Sequence, residues 1–256
     1  MEKHVFKKKY GQNFLRNEVI LNKIISSFEC DESAKIIEIG PGDGALTKKL
    51  VKKGHVTAFE IDESLKKYLD IIDCSNLNII YNDFLKIRLN EYFSENDKLF
   101  VIANIPYYIT TPIITKFIDE NMIPEIMVLM VQKEVAERLS AKPKTSNYGA
   151  ITVILNYFFD IEYLFTVDRS EFYPIPNVDS AIIKLIKKDN ILSCDYNKFK
   201  NVVSCAFKQK RKNLKNNFND YDLQKISKVL EKYNLSLTNR AEDLCYEIFV
   251  EITNIL

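Results

Sequence analysis

Glycine is scarce in this chain, six residues in 256, yet Gly40, Gly42 and Gly44 crowd into one stretch, EIGPGDGALTKKL. They follow an apolar, β-branched run and open a helix-like pattern. Glycines at such a strand-to-helix turn let backbone approach a ligand closely and accept positive φ. Glu60 ends the next apolar run, twenty residues after Gly40, where a carboxylate would accept hydrogen bonds from ribose hydroxyls. The pair points to a cofactor carrying adenosine. A dinucleotide and S-adenosylmethionine both fit that description. The spacing here is G-x-G-x-G, not the G-x-G-x-x-G that brings a pyrophosphate onto a helix N-terminus. Asp43, inside the loop, would repel a pyrophosphate but tolerate the zwitterionic methionine end of a methyl donor. The spacing favours S-adenosylmethionine over NAD. Asp83, in YNDF after the third apolar run, is placed to accept from an adenine amino group.

The stretch ANIPYY (103–108) closes a fourth apolar run. Ligands of open parallel sheets sit beyond the carboxyl ends of the strands, so Asn104 falls beside the expected cofactor. An exocyclic aromatic amine is a poor nucleophile because its lone pair is delocalised into the ring. The Asn104 side-chain oxygen and a nearby backbone carbonyl, accepting both amine hydrogens, would favour a pyramidal nitrogen aimed at a methyl carbon. Pro106 would fix that carbonyl and Tyr107 would offer a ring face to the base. A turn built on Asn and Pro with core tyrosines is the competing reading.

Other chemistries find little support. His4 and His55 are the only histidines, and the five cysteines are widely spaced with no C-x-x-C pair. No metal site and no disulfide framework are expected. Net charge is +1, but ten basic residues lie between Lys184 and Lys215, opposed only by Asp189 and Asp195. With Lys3, Lys7, Lys8 and Lys9, they form patches able to hold phosphates, or simply solvated lysine faces. No apolar run is long enough for a membrane span, and the basic start lacks the apolar stretch of a secretory signal. A cytoplasmic address is the default expectation.

The elements that must position these residues are legible as alternation. KIIEIG (35–40), HVTAFEID (55–62), LNIIYND (77–83), KLFVIAN (98–104) and EIMVLMVQ (125–132) read as buried strands. ALTKKLVKKG (45–54), ESLKKYLDIID (63–73) and TPIITKFIDEN (111–121) between them have helical spacing. Such alternation implies a mostly parallel sheet with helices on both faces. A proline-punctuated loop in FYPIPNVDSAIIKLIKK feeds one more strand. From about residue 189 the pattern is helical, which predicts a catalytic domain over 1–188 and a small all-helical domain over 189–256.

GQNFL (11–15), EIGPGDGALT (38–47), FEID (59–62), NDFLK (82–86), NIPYYITTPII (104–114) and FYPIPNVDSAIIKL (172–185) resemble, in order, the motifs of the rRNA adenine N6-dimethyltransferases. AFKQKRKNLKNN (206–217) and NRAEDL (239–244) extend the likeness over nearly the whole chain, nearest to the small-subunit (16S) branch. The resemblance implies a Rossmann-like methyltransferase fold with S-adenosylmethionine as donor. It implies two adjacent adenosines near the 3′ end of small-subunit rRNA, in the 30S subunit or its precursor, as acceptors of two N6 methyl groups each. By motif, Asn13 and Leu15 would line the methionine side, Gly40 and Gly42 the glycine loop, Glu60 with Ile61 the ribose, and Asp83 with Phe84 the adenine. Asn104 would be the key catalytic polar residue, on the loop fixed by Pro106. Tyr107 would stack the target base and Phe172 would supply a second aromatic face. Lys208, Lys210, Arg211 and Lys212 would meet rRNA phosphates. Nothing demands more than a monomer.

Three alternatives stand beside this reading. A sister branch methylates one large-subunit adenosine through a similar Asn-x-Pro-aromatic motif. A non-catalytic assembly or transcription factor could use the same fold. A dehydrogenase is more distant.

Overall fold

The computed structural model describes residues 12–31, 33–104 and 109–256. It begins with a two-residue strand, β1 (Phe14–Leu15), and helix α1 (Glu18–Ser26). The core alternation follows as β2 (Lys35–Ile39), α2 (Thr47–Leu50), β3 (His55–Glu60), α3 (Lys66–Leu69), β4 (Leu77–Tyr81), β5 (Leu99–Asn104), α4 (Thr110–Asp119) and β6 (Ile126–Gln132). Then come α5 (Lys133–Leu139), α6 (Ala150–Phe158), β7 (Phe159–Val167), β8 (Phe172–Tyr173) and β9 (Ser180–Lys187). The chain closes with α7 (Tyr196–Ala206), α8 (Leu214–Asn217), α9 (Leu223–Lys232) and α10 (Tyr246–Ile255).

The large sheet has the order β4-β3-β2-β5-β6-β9-β7, with β2 to β6 parallel and β9 antiparallel to β6. Strand order reverses at β2: the chain builds outward to β3 and β4, then returns to lay β5 on the other side. Such a reversal opens a crevice at the carboxyl ends of the two central strands. Gly40 follows β2 and Asn104 ends β5, so the two motifs with most chemistry meet there by topology alone.

Both faces of the central strands β2, β5 and β6 are covered, which explains their largely apolar composition. Ile36, Ile37, Val101, Ile102, Met127 and Val128 are essentially inaccessible. Each such side chain contributes about 1.5–3 kcal/mol relative to exposure. In α4 the stripe Ile113, Ile114, Phe117 and Ile118 packs inward at helical spacing. α1 starts where Asn17 accepts hydrogen bonds from the amides of Val19 and Ile20, satisfying donors the first turn leaves over.

The five expected strands are present within a residue or two of their predicted limits. α2 and the stretch around α3 are shorter than their spacing suggested; in 63–73 the chain forms a 3-10 turn at Glu63–Leu65 before α3. The last strand joins the sheet antiparallel. Two compact units are present. One comprises residues 1–136 and 162–187; the other comprises 137–161 and 188–256. The sequence reading placed all residues up to 188 in the catalytic domain, whereas 137–161 belong with the helical unit. There α6 packs on α7 and α10, meeting α7 through Tyr157, whose ring centre is 4.9 Å from that of Phe199. Among the described residues, no helix is long and apolar enough to cross a membrane.

Candidate active site

Each of the three glycines of the β2–α2 turn has positive φ: +74° at Gly40, +62° at Gly42 and +79° at Gly44. At all three an added side chain would also crowd a neighbour; at Gly44 a β-carbon would lie 2.6 Å from Ile72 Cδ1. A β-carbon on Gly40 would lie 3.1 Å from the Asn104 carbonyl oxygen, and one on Gly42 would lie 2.8 Å from the Phe14 ring. The loop is glycine because the end of β5 and the ring from β1 press against it.

A cavity of about 300 Å³ opens at this crevice. Asn13, Leu15, Gly40, Gly42, Glu60, Ile61, Asp83, Phe84, Asn104 and Phe172 all line it. The cofactor residues expected from sequence therefore share one cavity. Pro106 and Tyr107 lie outside the described residues.

Glu60 is 4% exposed and anchored from both sides. Its Oε2 accepts from the Gly42 amide at 3.1 Å and its Oε1 from the Asp62 amide at 2.8 Å. Burial pushes its carboxyl up to about 7, against the pull of those amides and with a further push from the Asp62 charge. Asp83 closes a tight turn, its Oδ1 accepting from the Leu85 amide at 3.0 Å, with the Lys86 ammonium 3.7 Å from Oδ2. Phe84 is buried edge-on to Phe59, at 5.2 Å between ring centres, whereas Ile61 remains 45% exposed at the rim. Together they form apolar walls between two carboxylates.

The charge of Asp43 in the glycine loop is met by Arg16. Its Nε and Nη2 both donate to Asp43 Oδ2, at 3.0 and 2.8 Å. Phe172 is 3% exposed and packs into the core with Leu15 and Met130, so its ring is a wall of the cavity; Tyr173 beside it is 63% exposed.

One lining residue escaped the sequence reading. Glu38, the penultimate residue of β2, is buried on the cavity floor. Burial pushes its carboxyl to about 8, opposed by the nearby Thr47 hydroxyl and reinforced by Glu60. Among the described residues, neither Glu38 Oε2 nor Thr47 Oγ1 has a hydrogen-bond partner. A buried polar atom of this kind calls for a partner, and of the two residues Glu38 lines the cavity. The available signal was a carboxylate inside an otherwise apolar strand, two residues before the glycine loop.

Lys208, Lys210, Arg211 and Lys212 are all exposed on the turn after α7. Lys210 differs from the rest, since its ammonium donates to the Ser146 carbonyl at 2.5 Å and ties down the 142–148 loop of the same unit. No carboxylate pairs with Lys208, Arg211 or Lys212 among the described residues.

A glycine cradle, two strand-end carboxylates, apolar walls and an orphaned carboxyl oxygen fit an adenosine joined to a zwitterionic amino acid. Comparison with known proteins agrees. The family model described as ribosomal RNA adenine dimethylase matches residues 3–256. A ribosomal RNA small subunit methyltransferase A of Onion yellows phytoplasma is 43% identical over 258 residues, covering 98% of this chain and 96% of the relative. Its counterpart from Bacillus mycoides is 41% identical over 266 residues, covering 98% and 91%. Among solved structures, a dimethyladenosine transferase from Plasmodium falciparum superposes with a TM-score of 0.80 at 29% identity, covering 93% of this chain and 95% of that one. The 23S rRNA methyltransferase ErmE superposes with a TM-score of 0.76 at 25% identity, covering 95% and 99%.

Proposed function

The chain belongs to the ribosomal RNA adenine dimethylase family, and from that premise we propose that it methylates small-subunit rRNA. It transfers methyl groups from S-adenosylmethionine to N6 of two adjacent adenosines in the 3′-terminal hairpin, giving N6,N6-dimethyladenosines. It acts as a cytoplasmic monomer on the 30S subunit or its precursor, with a role in small-subunit biogenesis. The observation that carries the reading is the gathering of Gly40, Glu60, Asp83 and Asn104 around one cavity at the strand-order reversal.

S-adenosylmethionine, when bound, supplies an electrophilic methyl group on a sulfonium. The protein's part is binding and aim. Ionised Glu60 would accept hydrogen bonds from the two ribose hydroxyls, and Asp83 would accept one from the adenine amine. Ile61 and Phe84 would enclose the adenine, while Asn13 and Leu15 would border the methionine end with the glycine loop. The Asn104 side-chain oxygen would accept a hydrogen bond from the target N6, drawing the lone pair out of conjugation. By motif, Pro106 would stiffen this loop, and Tyr107 with Phe172 would enclose the acceptor base. Lys208, Arg211 and Lys212 hold rRNA phosphates.

The likeness to ErmE favours a second reading, methylation of large-subunit rRNA. The decisive experiment offers immature small subunits and large-subunit rRNA side by side with methyl-labelled donor. Dimethyladenosine is expected in the small-subunit RNA alone. Label confined to the large-subunit RNA would reverse the assignment.

A further inference from the structure

Residues 12–17 are fastened by side chains to three separate loops. Gln12 Nε2 donates to Asp62 Oδ2 at 2.7 Å, beyond β3. Arg16 grips Asp43 of the glycine loop. Asn17 Nδ2 donates to Glu171 Oε2 at 2.7 Å, immediately before β8. Between these fasteners β1 pairs antiparallel with β8, with Phe14 opposite Tyr173 and Leu15 opposite Phe172.

A ribbon of two residues per strand has little stability of its own, so its register depends on what flanks it. Asn17 suits this role because its amide has no freedom to turn. Its Oδ1 is held by the α1 amides of Val19 and Ile20, at 2.9 and 3.3 Å, which leaves Nδ2 for Glu171. Leu15 and Phe172, opposite each other in the ribbon, both line the cavity. With the proposed roles, Leu15 belongs to the donor side and Phe172 to the acceptor side.

We propose that Glu171 is a positioning residue for the methyl transfer: through Asn17 it keeps Phe172 in register with Leu15, so that filling the donor cavity and seating the acceptor adenine favour each other. The inference rests on the assignment of donor and acceptor just made. The glycine loop, Glu60 and Asp83 do not depend on this bond, so donor affinity alone should survive its loss. The coupling should not, because coupling between sites needs an element that both ligands bias.

The test measures affinity for S-adenosylhomocysteine, which cannot react, with and without saturating immature small subunits. In the wild type the ligand should bind more tightly when the subunit is present. In Glu171→Ala that gain should fall about tenfold, as expected from losing a hydrogen bond to a charged group, while affinity without the subunit stays within about twofold. Glu171→Gln, whose carbonyl oxygen still accepts from Asn17, should retain the gain. Asn17→Ser keeps the α1 cap but cannot reach Glu171, so it should behave like Glu171→Ala and not add to it. Melting temperature verifies that each variant is folded. An undiminished gain in Glu171→Ala, equal losses with and without the subunit, or no gain in the wild type would each overturn the proposal. None of these bears on whether small-subunit RNA becomes labelled, so failure of the acceptor assignment is read separately.

Discussion

The carbonyl oxygen of Asn104 lies 3.1 Å from the place a β-carbon on Gly40 would occupy. The glycine loop and the end of β5 therefore approach each other closely at this point, with no room for a side chain on Gly40. Gly40→Ala faces this contact and a φ of +74°. The left-handed conformation alone costs roughly 1–2 kcal/mol. The variant should melt several degrees lower and bind S-adenosylmethionine at least about tenfold more weakly. Unchanged melting and unchanged donor binding would show that the contact does not matter.

Asn104→Ala should separate binding from chemistry. Removing one oriented polar group from a transition-state site costs about 100-fold or more in turnover. Donor affinity, set mostly by Glu60 and Asp83, should stay within a few-fold in calorimetry. Equal turnover in single-turnover assays would refute the proposed role.

Glu60 must be ionised to accept ribose hydroxyls, yet burial holds its carboxyl at about 7. Donor affinity should therefore rise with pH, gaining about tenfold from pH 6 to pH 8 and flattening above the group's own pKa. Glu60→Gln should bind weakly with no such slope. A wild-type profile that is level across this range would exclude Glu60 as the titrating ligand.

Glu38 makes a prediction independent of function. Its folded carboxyl titrates at about 8, above the 4.5 of an ordinary Glu. Between those values the folded chain holds the extra proton, so its contribution is fully present below about pH 4.5 and is lost as pH rises to 8. Relative to Glu38→Gln, the wild type should lose on the order of a few kcal/mol across that window. Denaturant midpoints at pH 5 and pH 8 measure it; a constant difference would mean that the carboxyl titrates normally.

Lys208→Glu, Arg211→Glu and Lys212→Glu should weaken RNA binding and flatten its salt dependence, by about one unit of slope for each phosphate contact removed. Lys210→Ala should instead loosen the 142–148 loop, seen as faster amide exchange there, with less effect on the salt slope. A slope insensitive to all four would move the RNA surface elsewhere.

The sheet was legible because its central strands are buried on both faces and so appear as continuous apolar runs such as KIIEIG and EIMVLMVQ. Glu60 and Asp83 were legible because a strand end fixes where a side chain sits relative to the crevice. The β1–β8 ribbon was not, since a two-residue strand has no period and its partner lies far along the chain. The membership of 137–161 in the helical unit was hidden too: α6 is apolar at positions that suit either unit, and only its packing on α7 and α10 decides. Glu38 was passed over because an acid inside an apolar strand reads as an interruption until the cavity beneath it is seen.

The Asn17–Glu171 bond spans 154 residues of sequence, which sets an order of events during synthesis. At about 5–20 residues per second, the donor-side strand waits roughly 8–30 s for its partner to be made. Throughout that interval the glycine loop and its carboxylates can assemble, but the edge formed by Phe14 and Leu15 stays open. A nascent chain halted before Phe172 would thus have an adenosine cradle without its wall, and the last piece of the active site to be translated would be the one that closes it.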